Sequence, residues 1–202
     1  MAGKRDLTTG RDAQRIQTRE RVLGAAVAEF GDRGAADADL TAIAASAGVS
    51  RGTFYFHFPT KEHVLLELEQ REESRIAREL TEFLGTPRDL ESSLSRIVEL
   101  TLAIEERLGN RLFKDLLALY FSPTRPLTES WREHALIGLV VDILGRARDT
   151  GEAEIAVDPY HSAAIFLLGL YGLLSTTSGA GPLRTAVLDS YLTTTLRSLQ
   201  PR

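Results

Sequence analysis

Cysteine is absent from this chain of 202 residues. Without a thiol the protein can form no disulfide, no thiolate nucleophile and no cysteine-based metal site. A strong excess of one charge is also missing, since the formal net charge is −4. Residues 1–63 carry nine Lys and Arg against eight Asp and Glu, so the acidic excess lies in the rest of the chain. A polyanionic partner would therefore meet the N-terminal part first.

Long hydrophobic runs are missing too. The longest, residues 163–174, is 12 residues, well short of the ~20 that a membrane-spanning helix needs. Residues 1–14 are polar and lack the apolar segment of a secretory signal, and we expect them to form a disordered arm. With 43% hydrophobic and 26% charged residues, the composition is that of a globular protein. We expect a cytoplasmic protein without a membrane partner.

The common catalytic signatures are also absent. The chain has no G-x-S-x-G, H-E-x-x-H, P-loop or G-x-G-x-x-G motif, each of which would place a nucleophile, a metal or a phosphate. Its four histidines, at positions 57, 63, 134 and 161, are scattered without metal-ligand spacing. We therefore expect no enzyme, no metal and no cofactor.

Alternation of apolar and polar residues, the mark of a strand, does not occur, whereas apolar residues recur at helical spacing almost throughout. The pattern predicts an all-α protein of about nine helices. Helix stops are expected at Gly34, Gly85 and Gly109, and starts at the Thr-Pro and Asp-Pro pairs near residues 86 and 158. The predicted helices cover about residues 15–33, 40–47, 51–57, 61–84, 87–108, 110–121, 128–150, 159–176 and 183–199.

The stretch TAIAASAGVSRGTFYFHFPTK, residues 41–61, stands apart from the rest. Small residues dominate its first helix, Gly48 allows a tight turn, and Val49 is the expected apolar plug. Ser50 is placed to cap a second short helix that Pro59 ends. A helix, a tight turn and a second helix form a helix-turn-helix, a unit that reads DNA.

In such a unit the first residues of the second helix lie at base edges in the major groove. Here these are Arg51, Gly52 and Thr53. Arginine matches the O6 and N7 atoms of guanine, threonine can contact a thymine methyl, and glycine lets the backbone come close. We therefore expect these three residues to choose the DNA sequence.

Flanking residues would hold the DNA backbone. Tyr55 and His57 can reach phosphates, and Thr41 can either cap its helix or donate its hydroxyl to a phosphate. Lys61 begins the next helix, where its ammonium and the helix dipole both favour an anion. The alternative is an ordinary three-helix unit whose aromatic residues are core, and we accept that for Phe54 and Phe58.

Residues 30–68, FGDRGAADADLTAIAASAGVSRGTFYFHFPTKEHVLLEL, resemble the N-terminal domain of the tetracycline-repressor (TetR/AcrR) family of transcriptional regulators. The resemblance covers about residues 18–68, a third of the chain. The segment FYFHFPTKE is also similar to the ethionamide-regulator branch, whose pockets are long and apolar. The matching positions are Phe30, Gly34, Thr41, Ile43, Ala44, Ala47, Gly48, Val49, Ser50, Thr53, Tyr55, Phe58, Lys61 and Glu62.

This resemblance implies a DNA-binding domain over residues 15–60 and a helical domain for ligand binding and dimerisation over residues 61–202. It implies base contacts by Arg51, Gly52, Thr53 and Phe56. Phe56 departs from the family pattern, and it could pack on a sugar, contact a thymine methyl or make no contact. The phosphate contacts that it implies are Thr41, Ser50, Tyr55, His57 and Lys61.

The resemblance also implies an apolar cavity with a few polar groups, which is the usual form of a small-molecule site. For any single residue the alternative is plain core. No side chain in this part indicates an anionic ligand or a metal, so we expect a small apolar or amphipathic effector. The expected lining is Leu84, Ile97, Leu100, Thr101, Ile104, Leu108, Phe113, Leu117, Tyr120, Trp131, His134 and Phe166.

The predicted helix at 159–176 is apolar nearly all round, so it must be covered on every side. A second copy of the chain could cover one side, through a four-helix interface with the helix at 183–199. The alternative is a monomer with the first of these helices at its centre. The expected interface residues are Leu167, Leu170, Tyr171, Leu174, Leu188, Tyr191 and Leu192.

The sequence thus predicts a ligand-responsive, dimeric repressor that a small apolar molecule releases from a palindromic operator. The alternative is an all-helical small-molecule-binding or scaffold protein without sequence-specific DNA binding. That alternative explains the apolar C-terminal part but leaves residues 41–61 without a role.

Overall fold

The computed structural model describes residues 4–126, 134–177 and 181–200, with side chains from Gly10 onward. These residues form eight helices and no strand, as the all-α prediction requires. In chain order the helices are α1 (Lys4–Arg33), α2 (Leu40–Ser46), α3 (Arg51–His57), α4 (Lys61–Phe83), α5 (Leu90–Tyr120), α6 (Ala135–Asp149), α7 (Pro159–Thr176) and α8 (Pro182–Ser198).

Most helices lie where the apolar periodicity places them, and two start elsewhere. Helix α1 begins at Lys4 instead of near residue 15, so residues 4–14 are helical and not the expected disordered arm. No proline interrupts this segment, and a polar helix can extend from a buried turn without losing backbone hydrogen bonds. The helix predicted from about residue 128 is described only from Ala135, and residues 127–133, with Trp131, lie outside the described part.

Short polar side chains cap several helices. Asp39, Ser50 and Asp158 each accept a hydrogen bond from a backbone N–H in the first turn of α2, α3 and α7. Helix α5 is capped by Asp89, which accepts from the N–H of Ser92 at 2.7 Å, so the predicted cap at Thr86 is wrong. A carboxylate accepts more strongly than a hydroxyl, and this explains the later start.

The apolar side chains form two cores. The larger lies among α4, α5, α6 and α7 and receives Leu188 from α8. The smaller, which we call the head core, joins α1, α2 and α3 to the first two turns of α4. It also takes Leu112, Leu116 and Leu119 from the end of α5. Helices α4 and α5 therefore belong to both cores.

Gly109 divides α5 into two parts. Its φ of 77° and ψ of 155° are not helical, and only glycine adopts that conformation readily. The chain break predicted at this glycine is confirmed, although the two halves follow each other as one element. The kink directs residues 110–120 between the two cores, where Phe113 faces the larger core and Leu112 the head core.

Helices α7 and α8 pack closely on each other at Gly169. A methyl group at this position would lie 2.6 Å from the Tyr191 hydroxyl oxygen, so a larger residue would clash. That hydroxyl donates to the carbonyl of Phe166 at 2.5 Å, and burial raises its pKa to about 12. The contact holds the two helices in a fixed register.

Five of the seven residues predicted for a dimer interface are buried within the protomer. Their side chains complete the larger core, so they have no surface left to offer a partner. The faces of α7 and α8 on which they lie are covered by the other helices of the same protomer. The five are Leu167, Leu170, Tyr171, Leu174 and Leu188. Tyr191 and Leu192 are partly buried.

In the part of the chain that the structure describes, no helix combines the length and the apolar character that crossing a bilayer demands.

Candidate DNA-binding face and effector cavity

Helix α3 has one buried and one exposed face, and the division follows its sequence. Phe54 and Phe58 are fully buried in the head core, which confirms their prediction as core residues. Arg51 is exposed, Tyr55 is 42% exposed and Phe56 is 72% exposed. Exposure of two large aromatic rings on one short helix is unusual for a face that meets only water.

The start of α3 is fixed by its cap. The Ser50 hydroxyl oxygen accepts from the N–H of Thr53 at 3.1 Å and lies 2.9 Å from the Thr53 hydroxyl oxygen. Gly52 is exposed, and only Ser50 lies within 4 Å of a methyl group built on it, at 3.7 Å. Of the two other predicted base-facing residues, Gly52 is therefore exposed and Thr53 is partly exposed.

His57 does not lie with the other predicted phosphate contacts. It is buried, because it follows Phe54 by three residues and so shares the inward face of α3. Burial lowers the pKa of this histidine, and the charges of Arg19 and Arg15 lower it further. A buried, neutral imidazole is poorly suited to hold a phosphate, so we correct this part of the prediction.

Thr41 and Lys61 lie at two helix starts near this face. Asp39 caps α2 by accepting from the N–H of Thr41 at 2.7 Å, so the Thr41 hydroxyl is not needed as the cap. Lys61 begins α4, and its ammonium donates to the carbonyl of Ala36 at 2.8 Å. That bond ties the α1–α2 loop to α4 and commits one of the three ammonium hydrogens.

Arg19 of α1 joins the end of α3 to α4, a role that the sequence did not suggest. Its guanidinium donates to the carbonyl of His57 at 2.5 Å and to the Glu67 carboxylate at 2.5 Å. It also lies 4.2 Å from the centre of the Phe58 ring. Burial alone would raise the pKa of Glu67, but hydrogen bonds from Arg19 and Arg71 hold it below its usual range.

A cavity of about 30 Å³ lies between α4, both halves of α5, and α7. Five residues of the predicted effector site line it, namely Thr101, Ile104, Phe113, Leu117 and Tyr120. His134 contacts it through Glu73. Leu84, Ile97, Leu100, Leu108 and Phe166 are not in its lining, so the structure places them elsewhere in the helical domain.

The cavity carries three carboxylates that the prediction missed: Glu69, Glu72 and Glu73 of α4, each more than nine-tenths buried. They occupy positions that continue the spacing of the apolar residues Ile76 and Leu80. Glutamates at the buried positions of an amphipathic helix were the available signal.

Each carboxylate has a partner. Arg125 donates to both oxygens of Glu69, at 2.6 Å and 2.6 Å, in a bidentate pair. Arg107 binds Glu72. Glu73 accepts from the Tyr120 hydroxyl at 2.6 Å, and its other oxygen lies 2.8 Å from Nδ1 of His134.

Burial and these contacts together raise the pKa values of three residues at the cavity, His134, Tyr120 and Glu69. The hydrogen bond to Glu73 raises the pKa of His134 although burial opposes the rise. Burial raises the pKa of Tyr120, and the neighbouring Tyr171 and Glu73 add to that rise. Burial also raises the pKa of Glu69, against the effect of Arg125. Glu69 thus depends on the neighbouring Arg125 to stay ionised.

Glu69, Glu73 and His134 offer ligand atoms within 4.8 Å of one another. Spacing along the chain did not predict this group, because the two glutamates lie within α4 whereas His134 precedes α6, 61 residues after Glu73. Arg125 and Tyr120 already donate to the two carboxylates. A metal ion would have to compete with both donors.

The N-terminal geometry agrees with a known family. Residues 22–68 match the model described as "Bacterial regulatory proteins, tetR family". The HTH-type transcriptional regulator SrpR of Pseudomonas putida is 28% identical over 165 residues, which cover 80% of this chain and 76% of SrpR. These matches support a transcriptional regulator of the tetR family. The resemblance drawn from residues 30–68 is thereby confirmed at the level of the family.

Two further matches show how the likeness is distributed along the chain. EthR of Mycobacterium tuberculosis is 41% identical over 73 residues, but these cover only 35% of this chain and 34% of EthR. The solved structure of FadR of Thermus thermophilus, a repressor in complex with lauroyl-CoA, matches with a TM-score of 0.71 and 25% identity, covering 91% and 96% of the two chains. The chain is therefore a DNA-binding transcriptional regulator with the whole-chain fold of this family.

Proposed function

We propose that this tetR-family regulator is a cytoplasmic, dimeric repressor that a small amphipathic molecule releases from a near-palindromic operator. The α3 helices of two copies would enter successive major grooves, ~34–36 Å apart. The alternative, a helical binding or scaffold module without DNA recognition, is not favoured, because it gives the exposed face of α3 no role.

The proposed contacts divide into two groups. Arg51, Gly52 and Thr53 would face bases, and the exposed ring of Phe56 would meet a sugar or a thymine methyl. Backbone phosphates would be held by Thr41, Ser50, Tyr55 and Lys61. We leave His57 out, since its side chain is buried.

The observation that carries the proposal is the position of residues 110–120. Phe113, Leu117 and Tyr120 line the cavity, while Leu112 and Leu119 belong to the head core. An effector that enlarges the cavity must move this half-helix, which is hinged at Gly109. The movement would then reach the head core directly.

A second connection fixes the head to the moving part. The Arg111 guanidinium binds the carbonyl of Asp32, and Asp115 accepts from the N–H of Ala35 at 2.7 Å. The two side chains come from α5, whereas Asp32 lies in the last turn of α1 and Ala35 in the loop that follows it. A shift of α5 would therefore change the spacing of the two α3 helices on the operator, provided that the effector prefers the shifted state.

A domain division and a dimer complete the proposal. We propose that residues 15–60 form the DNA-binding domain and residues 61–202 the effector and dimerisation domain. Dimerisation would use the outward faces of α7 and α8, where Ile165 is 70% exposed and Leu168 and Leu192 are partly exposed. The buried residues of these helices would support that surface from behind.

The test begins with selection of genomic fragments by the purified protein, followed by gel shifts at several salt concentrations. We expect a fragment with two half-sites about one helical turn apart, whose affinity falls steeply with salt. Equal affinity for the selected fragment and for random DNA would refute a sequence-specific regulator. Footprinting would then show whether the two half-sites are occupied together.

A further inference from the structure

A cation, the guanidinium of Arg125, already contacts two residues of the cavity lining, Glu69 and Tyr120. Besides its bidentate bond to Glu69, this group lies 4.9 Å from the centre of the Tyr120 ring. A carboxylate below and an aromatic face beside a positive charge make the usual site for an organic cation. Arg125 comes from the non-helical segment after α5, not from the helices that build the cavity.

We propose that the effector of this regulator is an apolar organic cation that takes the place of Arg125 at Glu69 and Tyr120. The proposal rests on the function proposed above, because it names the class of molecule that the same cavity takes. Arg125 acts as an internal stand-in for the effector and holds the site closed until the effector displaces it.

The requirement for a positive charge follows from burial. Glu69 is only 3% exposed. Among the described residues, Arg125 is the guanidinium that pairs with it, and removing one partner of a buried ion pair destabilises the protein strongly. A neutral or anionic molecule that displaced Arg125 would leave this carboxylate unpaired. A cation restores the pair, so only a cation can exchange with Arg125 at little cost.

The requirement for an apolar body follows from the rest of the lining. Ile76, Ile104, Phe113 and Leu117 contribute only hydrocarbon, and the rings of Tyr120 and Tyr171 lie 4.6 Å apart beside them. These surfaces favour a hydrophobic or aromatic group over a hydrated metal ion. The present volume of about 30 Å³ must therefore grow when the effector enters.

Displacement would be transmitted through α4. Glu69 and Glu67 lie on the same turn of this helix, one facing Arg125 and the other facing Arg19. Arg19 in turn holds the carbonyl at the end of α3. A shift of α4 at the cavity thus acts on the DNA-reading helix through one guanidinium.

The experiment compares three C10 probes that differ in charge, all below their micelle concentrations: decyltrimethylammonium, decanol and decanoate. Isothermal titration calorimetry on the full chain should show the cation binding at least about tenfold more tightly than either other probe. The Glu69→Gln variant should lose at least about tenfold in affinity for the cation and nothing for decanol. The matched control is Glu79→Gln on the same helix outside the cavity, which should bind the cation as the unaltered chain does.

Arg125→Ala supplies the opposite test, because it removes the internal competitor. This variant should bind decyltrimethylammonium more tightly than the unaltered chain, and the cation should raise its melting temperature by a larger amount. Should Glu69→Gln not fold, as judged by circular dichroism, the double variant Glu69→Gln/Arg125→Gln lacks both members of the ion pair. Its preference for the cation over decanol should be at least about tenfold smaller than in the unaltered chain.

Three results would overturn the proposal. They are tighter binding of decanoate or decanol than of the cation, unchanged cation affinity in both Glu69→Gln and Arg125→Ala, and binding of Zn²⁺ that depends on Glu69, Glu73 and His134 while the cation does not bind. Gel shifts without a probe decide separately whether the chain reads DNA. Failure of the effector class can therefore be distinguished from failure of the regulator function.

Discussion

Arg51 and Lys61 should have different roles on DNA, and single substitutions separate them. Arg51→Ala should relax sequence choice at one base pair, at a cost of about 1–3 kcal/mol on the cognate site. Gel shifts with the cognate site and with a site changed at each position measure this. Equal losses on cognate and random DNA would contradict base reading by Arg51.

Lys61→Ala should weaken all sequences alike and lower the salt dependence of log affinity by about one. Its bond to Ala36 gives the side chain a structural role as well. Lys61→Arg keeps a cation at this position and is the control, so it should retain most of the affinity. An unchanged salt slope in Lys61→Ala would show that this ammonium contacts no phosphate.

His134 should make stability depend on pH. Its pKa is raised from the ordinary value of 6.5, so folding favours its protonated form. That contribution is complete below 6.5 and is lost as the pH rises through the raised pKa. Glu73 faces the ring directly, and Glu69 and Arg125 are the other charges that act on it.

The measurement is the melting temperature of the unaltered chain and of His134→Gln at about pH 5.5 and about pH 8.5. The difference between the two proteins should be larger at the lower pH. Glu73→Gln should remove the same pH dependence, because the partner carboxylate is gone. A difference that grows with pH would contradict the pairing.

At individual positions, residue type alone predicted some burial and missed other cases. Spacing along α3 correctly placed Phe54 and Phe58 inward, and the same rule applied to position 57 would have buried the histidine. Glu69 could not be recognised as a site residue from its own type, since glutamate on a helix usually faces water. Its partner, Arg125, lies 56 residues further on, a distance that no local pattern spans.

Among the helices, the kink of α5 can be tested by one methyl group. Gly109→Ala should destabilise the fold by roughly 1–3 kcal/mol, because φ is 77° at this residue and alanine is strained there. Urea unfolding measures the change. Gly138→Ala is the control, since this helical position has open space around it and should gain about 0.5–1 kcal/mol.

A destabilised Gly109→Ala that still binds DNA should also respond less to the effector, since residues 110–120 could no longer pivot freely. The same loss of stability in both glycine variants would contradict the special role of the kink.

Helix bounds were predicted best where a short motif marks the end. The Asp-Pro pair at the start of α7 and the Ser50 cap of α3 gave the observed first residues. Prediction was poorest where two caps competed, as with Thr86 and Asp89, or where the signal was only polarity, as in residues 4–14. Polarity describes the surface of a helix as well as it describes a loop, so it could not distinguish the two.

For the whole molecule, we predict a dimer through the outward faces of α7 and α8. Leu168→Glu and Leu192→Glu should each shift the protein toward the monomer in sedimentation at micromolar concentration, because an apolar interface excludes an unpaired carboxylate. Ile16→Glu, an exposed apolar position on α1, is the control and should remain dimeric. A monomer in the unaltered protein would refute the interface.

The membership of Leu112, Leu116 and Leu119 in the head core also bears on protein engineering. A DNA-reading unit cut out at residue 60 or 68 would keep its recognition helix but lose these three leucines from beneath α1. Recombination with the sensing part of another regulator therefore needs a junction that carries residues 110–120 along with the N-terminal helices. A chimera joined within α4 would take residues 110–120 from the other regulator, and those residues would not match the head core of this protein.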